Sequence, residues 1–371
     1  MDGGRPAAPI AAVAVDAFTI PTDAPESDGT LEWNSTTMVL ARIDAAGRRG
    51  LGYTYADTAT ATLIRDKLAP LLVGRDAWSI NERWMDLVRA IRNLGRPGIC
   101  SMAISALDTA LWDLKAKLLG VALVDLLGVS RDSIVAYGSG GFTSYSLERL
   151  REQLGGWVRE GLSAVKMKVG RDAKADVQRV GAAREAIGDA KLFVDANGAY
   201  TREQALEQAQ RFAEDDVRWF EEPVSSDDLE GLHLLRDTRP PGMAIAAGEY
   251  GYDLFHFRRM LEAGAVDAIQ GDATRCAGVT GFMGAAALAD AFGIPLSSHC
   301  APALHVALCC AARRAVHLEY FHDHVRIERM VFDGAPQPRD GRLYPDRSRP
   351  GLGLELREKD AARFRVSGPG A

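Results

Sequence analysis

The feature that most limits what this chain can fold into is a beat. From about residue 133, short apolar runs recur: "IVAYGSGG", "AVKMKVG", "KLFVDANG", "VRWFEEP", "AIAAGE", "AIQGD", "IPLSSH" and "VHLEYF". They start at intervals of roughly 25 residues, the spacing of strand–helix units. A helical pattern such as "REQALEQAQRFAEDD" or "GFMGAAALADAFG" fills most of the gaps. Eight such runs predict a closed parallel barrel. An open doubly wound sheet is the alternative, but it more often has fewer strands and a glycine-rich phosphate loop. No G-x-G-x-x-G follows the first run, and no Walker motif occurs. The length of 371 residues suits a barrel of roughly 250 plus a smaller unit.

The flanks of the beat supply that unit. Up to about residue 75, "AVAVDAFTI", "TTMVLARI" and "LGYTY" read as strands of a small antiparallel sheet, with "PTDAPESDGTLEWN" as a polar loop and "DAAGRRG" as a turn. In "CSMAISALDTALWDLKAKLLG" the residues Ile104, Leu107, Leu111, Leu114 and Leu118 repeat at three and four, a helix stopped by Gly120. After the eighth run the chain becomes rich in Pro, Gly and Arg and reads as an irregular tail laid back over the first region. The expected division is an α+β cap from residues 1–130, completed by 330–371, and a barrel from 131–329.

Composition excludes several classes. A net charge of −6 argues against a nucleic-acid partner. No run reaches the roughly 18 apolar residues of a membrane helix. The N-terminus lacks a charged segment followed by a long apolar run, so no signal peptide is expected. Cys100, Cys276, Cys300, Cys309 and Cys310 are odd in number and match no zinc spacing. They read as reduced, mostly buried thiols of a cytoplasmic protein.

The polar residues of the barrel region fall at or near the ends of the runs, where barrel enzymes build their sites. They are Lys166 and Lys168, Asp195 and Asn197, Glu221 and Glu222, Glu249, Asp272, His299 and Glu319. Carboxylates from three consecutive strands, about 4.8 Å apart, repel unless a cation lies between them. A hard divalent ion such as Mg2+ is the natural choice. A lysine and a histidine from opposite walls would then face one substrate. That layout suits abstraction of a proton beside a carboxylate, with the cation opposing the charge that develops. A lysine near other positive charge can have its pKa lowered and act as a base. Lys166 and Lys168 share a strand face, and Asp272 is placed to orient His299. Strand parity does not choose between Glu221 and Glu222, because both faces of a barrel strand are buried.

These motifs together resemble the enolase superfamily, and within it the mandelate racemase subgroup. "SALDTALWDLKAKLLG" is similar to the family's helix entering the barrel, and "VKMKVG" to its K-x-K motif. "VDAN", "EEP" and "GE" resemble its three metal-ligand strand ends, "GDAT" with "SSH" its Asp–His dyad, and "HLE" its last-strand glutamate. The resemblance implies an α/β fold, a modified TIM barrel (β/α)7β with an α+β capping domain. It implies Asp195, Glu221 and Glu249 as ligands of one Mg2+, Lys168 as a base, and His299 with Asp272 as the acid/base on the other face. Lys166 and Glu319 would contact substrate carboxylate oxygens, Asn197 would stand near the metal, and the protein would be a homo-oligomer. Glu222 would then point elsewhere and need its own partner, such as a lysine or backbone amides.

The substrate side rests on the cap. Trp33 in the polar loop, Tyr53 and Tyr55 on a second loop, and Arg96 in a Gly-Arg-Pro-Gly turn are expected at the barrel mouth. Hydrogen-bonding lids lean toward a small polyhydroxylated carboxylate. Dehydration of an acid sugar to a 2-keto-3-deoxy acid is the leading expectation. Racemisation or epimerisation of a 2-hydroxy acid, cycloisomerisation of a sugar lactone, and a non-catalytic binding barrel stand beside it. His322 and His324 are read either as a second metal pair or as pocket and tail contacts.

Overall fold

A computed structural model describes residues 7–366. Residues 1–6, on which the expectation of no signal peptide partly rests, and 367–371 lie outside the described residues.

Three strands form the antiparallel cap sheet: β1 (Ile10–Ser27), β2 (Glu32–Ala45) and β3 (Arg48–Tyr55). β2 and β3 turn at Ala46 and Gly47, both at positive φ (48° and 72°), the geometry a tight hairpin requires. Two loops expected from the sequence are strand instead. β1 continues through all of "PTDAPES" to Ser27, so the polar segment 21–34 is the end of a long hairpin, not a free loop. Tyr53 and Tyr55 lie within β3, opposite Leu40 and Met38, so "LGYTY" is strand as its pattern predicts and the loop placement of its two tyrosines does not hold. Pairing with the hydrophobic β2 overrides the local polar and glycine signals there.

The helix Ile99–Leu119 packs on this sheet. Its sequence stop is found: Gly120 is left-handed and its N–H reaches the carbonyls of Ala116 and Lys117. Helix and sheet touch backbone to backbone. A Cβ on Gly52 would lie 2.2 Å from the Ala106 carbonyl oxygen, and one on Gly50 2.1 Å from that of Ala110. The tail returns to the same place, where buried Asp113 accepts from Leu51 N and Leu352 N, both at 2.7 Å.

The barrel strands are β4 (Ile134–Gly140), β5 (Ala164–Lys168), β6 (Lys191–Asp195), β7 (Val217–Glu221), β8 (Ala244–Ala247), β9 (Ala268–Gly271), β10 (Leu296–Ser298) and β11 (Ala315–Phe321). Each pairs in parallel with the next, and β11 pairs with β4, so the barrel closes. A short helix, His322–Val331, follows β11, so the beat runs one helix further than expected. Inward side chains of Tyr137, Phe193, Trp219 and His317 meet with ring centroids 4.9–5.6 Å apart and plug the barrel. His317 is thus a core histidine.

Cap and barrel are joined by a buried polar contact. The barrel helix Gly278–Phe292 begins without a cap of its own. Ser105 Oγ accepts from Gly278 N at 3.1 Å, and Asp108 accepts from Thr280 N at 2.8 Å and Thr280 Oγ1 at 2.7 Å. The cap helix therefore satisfies the first amides of a barrel helix. Burial pushes Asp108 up to about 7, against the hydrogen bonds from Thr280.

Two outcomes follow from this packing. Gly52→Ala must push strand and helix apart and should cost about 1–3 kcal/mol. A denaturant midpoint unchanged from wild type would show that the contact yields freely. Because the fold holds the Asp108 proton more tightly than the unfolded chain, the stability it contributes is full below the ordinary 3.8 and is lost as pH rises through about 7. Asp108→Asn should therefore gain stability relative to wild type between pH 5 and pH 8 in urea melts. A difference that stays constant with pH would show an ionised Asp108 at both values.

Candidate active site

Register brings the polar residues together. Lys168 lies opposite Asp195, and Asp195 opposite Glu221, so neighbouring strands deliver them as one row. One layer lower, Lys166 Nζ lies 2.6 Å from Glu221 Oε1, 2.8 Å from Glu319 Oε1 and 3.8 Å from Asp195 Oδ2. Glu319 also accepts from Ser139 Oγ at 2.6 Å and Cys300 N at 2.7 Å. Lys168 Nζ pairs with Asp195 Oδ2. Burial works against a charged Lys168, but Asp195 outweighs it and holds the ammonium above its ordinary pKa. In the protein as described, the nearest charge therefore favours the protonated amine, opposite to the depression expected from the sequence.

Asp195, Glu221 and Glu249 each offer an oxygen within 4.8 Å of the others, and all three are buried. Burial, then Asp195, pushes Glu221 up to about 8, while its Oε2 accepts from Trp219 Nε1 at 2.9 Å. The crowding of three carboxylates, all with hard oxygen donors, fits a divalent cation of the Mg2+ class. For one of its oxygens, Glu222 finds no lysine or amide partner among the described residues. It is buried, sits at φ 38°, and its Oε1 has no hydrogen-bond partner among the described residues. Burial, then the charge of Glu249, raises its pKa well above the carboxylate range.

On another wall, His299 Nδ1 lies 2.8 Å from Asp272 Oδ2, and Nε2 lies 3.2 Å from Glu249 Oε2 and 3.3 Å from Cys300 Sγ. Burial opposes a charged imidazole, yet Cys300, then Glu249 and the Asp272 bond, raise its pKa well above the ordinary value. Asp272 is lowered to about 2: burial opposes this, and the His299 contact outweighs it. Several non-glycine residues just past strand ends have positive φ: Asn197 (47°), Glu222 (38°), Cys300 (51°) and Ala301 (38°). Each such residue costs about 1–3 kcal/mol and is tolerated where the surroundings hold it.

Above these groups lies a cavity of about 390 Å3. Lys168, Asn197, Glu249, Asp272, His299 and Trp33 line it, whereas Lys166, Asp195, Glu221 and Glu319 lie beneath, paired with one another. Lys166 and Glu319, expected to touch substrate, are therefore not part of the cavity wall. Two expected mouth residues are elsewhere. Tyr53 is wholly buried with its hydroxyl donating to Glu328 Oε1 at 2.7 Å, because its part of β3 packs against the helix His322–Val331 and not against the cavity. Arg96 lines a separate hollow with Val88 and Arg92, its guanidinium 5.1 Å from the Trp84 ring. Two larger hollows, of about 710 and 690 Å3, lie away from the row of carboxylates.

One wall residue escaped sequence reasoning. Arg275 reaches Glu249 Oε1 at 3.1 Å and lies 3.8 Å from Asp272, bridging the two walls. Its place three residues after Asp272 was the available signal. Tyr55, seen in the sequence but set on a loop, stacks on His324 with ring centroids 3.4 Å apart. No local signal pairs these two, which come from cap and barrel.

Comparison with known proteins agrees with this architecture. Residues 17–128 match the family model "Mandelate racemase / muconate lactonizing enzyme, N-terminal domain", and residues 149–361 match "Enolase C-terminal domain-like". A 3,6-anhydro-alpha-L-galactonate cycloisomerase of Streptomyces coelicolor is 33% identical over 366 residues, covering 95% of this chain and 99% of that protein. The crystal structure of a mandelate racemase/muconate lactonizing enzyme-like protein from Rubrobacter xylanophilus is 52% identical, with a TM-score of 0.94 and coverage of 96% of this chain and 100% of the other. That of an L-talarate dehydratase from Polaromonas sp. JS666, complexed with Mg and L-glucarate, is 32% identical, with a TM-score of 0.88 and coverage of 97% and 98%.

Proposed function

We propose the following activity for this chain, which belongs to the mandelate racemase/muconate lactonizing enzyme family of the enolase superfamily: it dehydrates an acid sugar to a 2-keto-3-deoxy acid. The observation that carries the reading is that Lys168, ending β5, and His299, just past β10 and paired with Asp272 just past β9, line one cavity, and β5 and β10 are not neighbours. Two proton-transfer groups thus approach one substrate from different walls. One accepts the proton beside the carboxylate. The other, His299, delivers a proton to the departing β-hydroxyl. Asp272 holds His299 Nδ1, which fixes the ring and leaves Nε2 for proton transfer. The enol that results tautomerises to the keto acid.

Asp195, Glu221 and Glu249 would hold Mg2+, which supplies positive charge opposite the negative charge that builds on the substrate carboxylate. Lys166 keeps Glu221 and Glu319 in place from beneath. The polar wall from the cap, with Asp28, Ser35, Thr36 and Asp57, suits a substrate with several hydroxyls. The solved talarate dehydratase named above, complexed with L-glucarate, supports a sugar diacid as the class. The cycloisomerase relative supports a second reading, in which the same groups isomerise a substrate and no water leaves.

Calorimetry with MgCl2 checks the metal reading. Binding is expected for wild type and for Glu222→Gln, and loss for Asp195→Asn and Glu221→Gln. Loss in Glu222→Gln with retention in Glu221→Gln would exchange the roles of the two glutamates. A screen of acid sugars with Mg2+, read as 2-keto acid formation, checks the reaction. Lys168→Ala and His299→Asn should each reduce turnover about 10²–10⁴-fold. Exchange of the α-proton with deuterated solvent without keto acid would move the assignment to a racemase or cycloisomerase. Neither signal with any hydroxy acid would end it.

A further inference from the structure

A second group of ligand-type side chains lies outside the catalytic cavity. Asp23, Glu26 and His322 each offer an atom within 4.8 Å of the others. The cap hairpin brings them there. Pro21 pairs with Ser35 and Glu26 with Trp33, so residues 22–25 bulge out opposite Asn34 alone. The bulge carries Asp23 to His322, the first residue of the helix after β11. His322 Nε2 lies 3.1 Å from Asp23 Oδ2. Two ligands at about 2.1 Å from a tetrahedral metal stand about 3.4 Å apart, so this pair already has nearly the spacing of coordinating atoms.

Glu26 gives the second, independent observation. It is wholly buried, and its Oε2 accepts from Trp33 Nε1 at 2.8 Å. Its other oxygen, Oε1, has no hydrogen-bond partner among the described residues. An unpartnered buried acceptor is costly unless something positive meets it. The nearby cations do not serve: Arg149 lies 3.6 Å from Asp23, and Arg326 is taken by Asp323 and the Pro21 carbonyl. Burial, then Asp323, pushes Glu26 up to about 8, as befits a carboxylate short of positive charge.

We propose that Asp23, Glu26 and His322 bind one Zn2+-type transition-metal ion, which fastens the cap hairpin to the barrel. One imidazole nitrogen with two carboxylates suits Zn2+ better than Mg2+, in contrast to the all-oxygen set beneath the cavity. The same hairpin contributes Asp28, Leu31 and Trp33 to the cavity wall, and Trp33 is held by Glu26. An ion near its end would fix that wall without touching the reacting groups.

The test uses the full-length protein with excess Mg2+, titrated with ZnCl2 by calorimetry, with bound zinc counted after desalting. One zinc per chain is expected in wild type. Affinity should fall at least about tenfold, equal to 1.4 kcal/mol, in both Asp23→Asn and His322→Gln. Asp23 is solvent-accessible, so its variant keeps the fold even if that of His322 does not. Binding should persist in Cys300→Ser and Asp195→Asn, which separates this site from His299, Cys300 and Glu319 and from the carboxylate row. No zinc binding in wild type, binding unchanged in both hairpin-site variants, or loss in Cys300→Ser would overturn the proposal. The readout is independent of turnover, so failure of the acid-sugar reading leaves it intact.

Discussion

Lys166 is wholly buried, and its ammonium has three carboxylates within 4 Å. Much of the site depends on that one buried charge. Taking a charge out of water is expensive, and leaving one partner unpaired costs more still. Glu221 and Glu319 can sit in the barrel interior because Lys166 faces both, and Lys166 can sit there because they face it. Ser139, Cys300 N and Trp219 Nε1 take up the remaining oxygens. The network fixes β4, β5, β7 and β11 at one height, and β6 and Lys168 are set by register above it.

A layered barrel results. Aromatic rings close it below, the Lys166 network forms the next layer, and the reactive groups open onto the cavity above. The layers divide labour among residues that look alike in sequence. Lys166 holds carboxylates, while Lys168, two residues on, reaches the cavity wall. Glu221 lies in the row with Asp195, while Glu222, at a positive φ just past the strand, faces Glu249 without a hydrogen-bond donor for Oε1. Backbone strain just past several strand ends is tolerated because closed sheet and buried charges hold the frame.

The cap is not a separate lid resting on this frame. Asp108 and Ser105 cap a barrel helix, Trp84 Nε1 donates to the Ala277 carbonyl, and Tyr53 reaches Glu328. The substrate-facing wall is thereby built from both units, and the end of the hairpin meets the barrel through contacts such as His322 with Asp23.

The sequence by itself determined the barrel and the identity of the residues at its rim. The beat, the strand-end carboxylates and the Asp–His spacing are local patterns, and a closed parallel sheet allows them few arrangements. Tertiary structure decided what distance in sequence conceals. Segment 21–34 became a hairpin because β2 was there to pair with it. Tyr53 and Tyr55, on one face of β3, met different neighbours, Glu328 in the core and His324 at the cavity. Arg96 went to another hollow, and Arg275 came to stand between Glu249 and Asp272. The two adjacent glutamates show the limit most plainly. Both faces of a barrel strand are buried, so no pattern of polarity tells them apart. Only the register of β7 against β6, and the left-handed turn that follows, give them different neighbours.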